Sequence, residues 1–236
     1  MFAGTKVKNP TATREKLIDA ATATMRRQGY CATTVDQICV EAGVTKGAFF
    51  HYFGSKEDLA VATVEAWCRE GVYRADLGEA GNDPLVRLDC LFVGLIASVR
   101  NPGDEPLACL LGMVAQELGH SGGRLREVCS DGLEGWTALV SRLLRAAKEA
   151  HPVRMEFDPD ALAWTLNALW QGSLLVAKTR GDPEIAANNL RQARAHVKRL
   201  FDPHPPGPGA AVRRMSSAGS ESVPSDSDIG EGGSLP

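Results

Sequence analysis

No stretch of this 236-residue sequence is long and apolar enough to span a membrane, because polar residues interrupt every hydrophobic run. The first residues lack a signal-peptide pattern: Lys6, Lys8 and Arg14 lead into an amphipathic segment, not an apolar block. Together these absences predict a cytoplasmic protein with no membrane partner. Metal-ligand spacing is missing too. Cys31, Cys39, Cys68, Cys90, Cys109 and Cys129 form no C-x-x-C pair and have no clustered histidines beside them. Without a secretion signal they are not a disulfide framework, and most read as small packing residues. No metal and no cofactor is expected. A Walker loop, H-E-x-x-H, G-x-S-x-G and paired metal carboxylates on facing helices are all absent, so an enzymatic reading has no chemistry to attach to. Strand patterns longer than a few residues are also lacking.

What is present is helical periodicity and an uneven charge. Hydrophobic residues make up 44% of the chain, enough for a buried core. The net charge is −3, but residues 1–56 alone carry eight Lys/Arg against four acids, so the remainder is acidic. A basic head on an acidic body is the asymmetry expected when only the head meets phosphate.

Leu17, Ala21 and Met25 define a first amphipathic helix that Gly29 ends. Thr34 predicts the start of a second, with Gln37 reaching back to complete a capping box, and Gly43 predicts its end in a tight turn. Thr45 caps a third short helix, closed by Gly54, and Ser55 opens a fourth with Glu57 and Asp58 in its first turn. Longer apolar stripes follow. Leu85 to Val99 stops at Asn101-Pro102-Gly103, Leu107 to Leu118 breaks at Ser121-Gly122-Gly123, and Leu125 to Leu144 runs on to His151-Pro152. Pro159 and Pro183 suit the first turns of two more helices, at roughly 159–180 and 183–201. From Pro203 onward large apolar side chains almost vanish among Pro, Gly and Ser, which predicts a disordered tail. The fold class expected is all-α: a three-helix helix-turn-helix head over 11–57, a larger helical bundle over 58–202 for ligand binding and dimerisation, and the tail over 203–236.

The segment Thr33–Phe53 meets the needs of a helix-turn-helix, which packs one short helix nearly across another through a tight turn. Ile38 and Val44 supply apolar contact, Cys39 is small enough for close approach, and Gly43 makes the turn. Phe49 and Phe53, four residues apart, anchor the second helix inward. Lys46, Gly47, Ala48, His51 and Tyr52 are left on its outer part, where small residues at 47 and 48 let it sink into a major groove about 12 Å wide. Thr33, Thr34, Thr45, Lys46, Tyr52 and Lys56 are phosphate-binding types at helix starts or on the outer face. These nine positions are the expected DNA contacts. An ordinary helical hairpin would show the glycine spacing but not this order of chemistry.

Residues 13 to about 60 resemble the N-terminal domain of the tetracycline-repressor (TetR) family of bacterial regulators. The resemblance rests on Thr13-Arg14-Glu15-Lys16-Leu17-Ile18-Asp19-Ala20-Ala21, Gly29-Tyr30, Ala32-Thr33-Thr34-Val35 and Ala42-Gly43-Val44-Thr45-Lys46-Gly47. It continues through His51-Tyr52-Phe53-Gly54-Ser55-Lys56-Glu57-Asp58-Leu59. One departure is Phe50, where many members carry a phosphate-contacting tyrosine, so that contact is not carried over, although Tyr52 remains. The resemblance implies a homodimer on a near-palindromic double-stranded operator, and a body that binds a small effector and pulls the heads out of register. The function implied is a ligand-responsive transcriptional regulator, a repressor released by its effector.

In the body, Ala108–Gly119 is similar to a block in members that respond to N-ethylmaleimide-like electrophiles or to acrylate. In the electrophile-responsive members the matching cysteine is the one attacked, which makes Cys109 a candidate sensor thiol near a helix start. The other reading of Cys109 is a buried packing residue. Met113, Trp136, Trp164 and Trp170 are candidates to line an apolar pocket, or else plain core. Gln116, Glu117 and His120 lie on one turn and are candidates to orient a polar ligand. The last two helices resemble the pair that forms a four-helix dimer interface in this family.

Overall fold

A computed structural model describes residues 10–74, 81–100, 107–118 and 123–201, and every element among them is an α-helix. In chain order these are α1 Pro10–Gln28, α2 Val35–Ala42, α3 Lys46–Tyr52, α4 Lys56–Arg74, α5 Pro84–Arg100, α6 Leu110–Leu118, α7 Arg124–Ala150, α8 Pro159–Arg180 and α9 Pro183–Phe201. No described helix is long and apolar enough to cross a membrane. The tail expected from 203 onward, and His120, lie outside the described residues.

Local chemistry sets the helix ends. Thr34 caps α2 by accepting from Gln37 N–H at 3.3 Å, while the Gln37 amide oxygen accepts from Thr34 N–H at 2.9 Å. This is the capping box expected from the sequence. Gly43 takes the left-handed conformation at φ 65°, and its N–H returns to α2 carbonyls. Thr45 accepts from Ala48 N–H at 3.2 Å, and Ser55 accepts from Asp58 N–H at 3.0 Å. Asp158 caps α8 ahead of Pro159, and Gly181 at φ 66° ends it. The end of α3 differs from the expected glycine stop. It closes one residue earlier, on extended Phe53, whose N–H donates to Phe49 O at 2.9 Å, because burial of the Phe53 ring turns the chain inward.

Two apolar cores result. One is built from Leu17, Met25, Ile38, Phe49, Leu59 and Val64 of the first four helices, and it takes in Leu110, Leu111 and Val114 of α6 and Leu125 and Cys129 of α7. The other joins α5, α7, α8 and α9 through Leu88, Phe92, Val140, Leu144, Leu166 and Leu190. Each fully buried side chain of this size contributes roughly 1.5–3 kcal/mol. Helix α6 thus belongs to the packing of the helix-turn-helix as much as to the body.

An ion cluster ties α5 to α9. Arg194 donates twice to Asp89, at 2.6 and 2.7 Å, and Lys198 adds a contact at 2.9 Å. The Arg194 hydrogen bonds, more than Lys198, hold the Asp89 carboxyl down at about 2. Its contribution, about 2 kcal/mol at most, is present above the ordinary carboxylate range and is lost as pH falls toward about 2. Asp89→Asn should therefore lower the urea midpoint at pH 6 and narrow the gap to wild type near pH 2.5. An equal gap at both pH values would exclude this cluster as the cause.

Candidate nucleic-acid interface and effector core

Phe49 is fully buried and Phe53 nearly so, with ring centroids 6.0 Å apart. They fix the rotation of α3, and since each helical residue turns about 100°, Gly47 and His51 fall on the opposite, outward line. Both are exposed, Ala48 and Tyr52 are half-buried on one flank, and Lys46 and Phe50 are exposed on the other. His51 and Tyr52 meet edge-on at 4.9 Å. Nothing among the described residues explains the glycine at 47: a Cβ there meets only Thr45 Oγ1, at 3.9 Å. Since glycine inside a helix costs about 1 kcal/mol relative to alanine, a bare helix crest fits a surface that another molecule approaches closely.

The expected contacts divide into two groups. Thr34, Thr45, Lys46, Gly47 and His51 are exposed, with the two threonines acting as helix caps. Lys46 pairs with Asp36 at 2.8 Å, and that hydrogen bond raises its pKa. Thr33 and Lys56 are turned to internal work. Thr33 is 1% exposed and its hydroxyl donates to Gly29 O at 2.6 Å, so its side chain has no route to a phosphate. Lys56 donates to Tyr30 O at 3.0 Å and Thr33 O at 2.9 Å while its ammonium sits 4.3 Å from the centre of the Tyr30 ring. It closes off carbonyls after α1 in place of a helix cap.

A contact absent from the sequence reading joins α6 to this head. Glu117 does not face a ligand site with Gln116; its carboxylate accepts from Cys31 N–H at 2.6 Å. Gly29, at φ 91°, makes room for it, and a Cβ built there would land on the carboxylate. Arg26 reaches the same seam from α1, donating to Ala108 O at 3.2 Å and lying over the Trp67 ring.

The candidate effector residues also separate. Trp136 and Trp170 line a narrow apolar cavity with Leu88, Phe92, Leu166 and Leu190, with room for no more than about one water. No polar group lines it. Trp164 is instead 50% exposed on the outside of α8. Cys109 is half-buried ahead of α6, its carbonyl accepting the first helical bond from Met113 N–H, and it packs against both cores. Gln171, the neighbour of Trp170, donates to Cys109 Sγ at 3.5 Å, across Gly112, where a Cβ would collide with that amide. Met113 is half-buried beside Lys178, and Gln116 is exposed. Cys68 and Cys129 share the core near Cys109, and burial pushes the Cys129 thiol up to about 11 and the Cys68 thiol upward. No group of three or more metal-ligating side chains is present among the described residues.

Residues 17–63 match the family model described as bacterial regulatory proteins, tetR family, and residues 84–193 match the tetracyclin repressor-like C-terminal domain. The transcriptional regulator AcuR of Cereibacter sphaeroides is 32% identical over 174 residues, covering 72% of this chain and 78% of that protein. The HTH-type transcriptional repressor NemR of Escherichia coli is 28% identical over 193 residues, or 80% and 94%. A crystal structure of its reduced form superposes with TM-score 0.66 at 26% identity, covering 80% of this chain and 97% of that one. The crystal structure of a regulatory protein TetR from Rhodobacter sphaeroides gives TM-score 0.69 at 29% identity, covering 78% and 98%.

Proposed function

The chain belongs to the tetR family of bacterial regulatory proteins, and we propose that it is a repressor that holds double-stranded operator DNA as a homodimer until a small effector releases it. The observation that carries the reading is the outward face of α3, a bare glycine crest beside an exposed lysine and histidine on a helix locked from beneath by Phe49 and Phe53. In this reading residues 11–57 dock on DNA, 58–202 bind the effector and dimerise, and the two copies of α3 enter major grooves about 34 Å apart. The outer face of α8 supports self-association: Trp164, Leu175 and Val176 are about half exposed, with Ala168 and Gly172 between them at helical spacing. The cavity between Trp136 and Trp170 is the proposed effector site, opened by a ligand that is itself mostly apolar. Cys109, hydrogen-bonded by Gln171 next in the chain to cavity-lining Trp170, is proposed as the thiol through which an electrophile would act on the same seam.

Selection from random DNA followed by mobility shift tests the whole reading. A near-palindromic site bound by two protomers is the expected result, and enrichment of no sequence would refute it. The two lysines provide a finer check. Lys46→Ala should flatten the plot of log affinity against log salt by about one phosphate's worth. Lys56→Ala should leave the slope intact and lower the melting temperature, since its ammonium is spent on Tyr30 and Thr33 carbonyls. A reduced slope in both variants would place Lys56 on phosphate instead.

A further inference from the structure

On the flank of α3 next to the Gly47 crest, Phe50 is 53% exposed. A phenyl ring there has no internal duty equal to its size, since Phe49 and Phe53 already fill the inward side. Nor is it loose: its ring stands edge-on against Phe49, with centroids 5.1 Å apart and planes at 82°. It is an apolar group held rigidly outward, at the edge of a crest that carries no side chain at 47. A phenyl can neither donate to nor accept from phosphate, and it cannot read the donors and acceptors of base edges. The apolar feature that base edges present in the major groove is the 5-methyl group of thymine. The neighbouring exposed groups, Lys46 and His51, are polar and leave Phe50 the one large apolar contact on this face among the described residues.

We infer that Phe50 is a specificity residue that packs on the methyl group of one thymine in each half-site. The inference rests on the DNA-binding reading above. The test uses the full chain and the operator obtained by selection, in which thymines are replaced one at a time by uracil, removing only the methyl. Loss of one methyl contact should weaken wild-type binding about fourfold in one half-site and about fifteenfold when both are changed. Phe50→Ala should bind more weakly and be indifferent to the same uracils, with at most a small fall in melting temperature from loss of the edge contact with Phe49. Wild-type indifference to uracil at every thymine would overturn the inference, with Phe50 then packed on sugar. An unchanged uracil penalty in Phe50→Ala would overturn it as well, by assigning the methyl contact to another side chain. Failure to select any operator is a separate result that removes the DNA-binding reading itself.

Discussion

Gly29→Ala should destabilise the protein by about 3 kcal/mol, seen as a fall in melting temperature of about 6–12 °C for a chain of this size, and should weaken operator binding with it. Two effects act together. At φ 91° a side chain strains the backbone by roughly 1–2 kcal/mol. The added Cβ also evicts the Glu117 carboxylate, which forfeits a charge-assisted hydrogen bond to Cys31 N–H worth about 1.5 kcal/mol. Glu117→Ala alone should cost only that second part. The double variant should then cost about 3 kcal/mol, not the sum of about 4.5, because the carboxylate can be lost only once. Strict additivity would mean that the carboxylate keeps its bond to Cys31 in Gly29→Ala, so that Gly29 is needed for its backbone conformation alone. On the proposed reading this is where displacement of α6 is felt by the head, so Glu117→Ala should also blunt release by effector while sparing operator recognition.

The features legible in the sequence are those decided within four or five residues. Thr34 with Gln37, Gly43, Thr45, Ser55 and the Pro159 start of α8 were readable because a cap or a left-handed turn depends on nearby backbone. Phe49 and Phe53 were readable as anchors because their spacing of four puts both on one side of a helix. Residue type, however, does not give direction. Thr33 and Lys56 have the chemistry to hold phosphate, yet their side chains turn to carbonyls of the loop between α1 and α2. Glu117 was out of reach for a different reason: its partner lies 86 residues away, and a polar turn containing Gln116 and Glu117 carries no mark of which neighbour it serves.

The body was legible as helices but not as faces. Helix α8 buries Leu166 and Leu174 while exposing Trp164, Leu175 and Val176, so apolar residues run around it and periodicity cannot tell cavity wall from outer surface. Trp170 and Trp164 look equivalent in the sequence, and the structure sends one to the cavity and the other outward. The domain boundary was blurred by the same kind of long-range packing. Leu110, Leu111 and Val114 read as body residues, but they complete the core beneath the helix-turn-helix.

N-ethylmaleimide should release the protein from its operator, and Cys109→Ser should bind DNA normally and resist the reagent. The thiol adds across the ring double bond, its sulfur bonding to one carbon and its proton ending on the other, with no leaving group. The adduct then has to find space in a seam that has none. Cys109 packs on both cores, and Gln171 already fills the gap over Gly112 so tightly that even a methyl group there would collide. Displacing Gln171 disturbs its neighbour Trp170 on the cavity wall, so the adduct and an apolar ligand would act on the same helices. Such an adduct can shift the protein only if it fits one of two states better. The other thiols need separate treatment. Cys129 is 1% exposed and, at about 11, has roughly one thiolate in ten thousand at neutral pH. Cys31 is exposed beside the Glu117 contact, so modifying it would strike the head directly. Two variants resolve this: one keeping Cys109 as its only cysteine, the other lacking Cys109 alone. Release of the first and resistance of the second would establish Cys109 as the sensor. Failure of the reagent to release the variant that keeps Cys109 alone would make Cys109 a packing residue and leave the cavity between Trp136 and Trp170 as the proposed route for an effector.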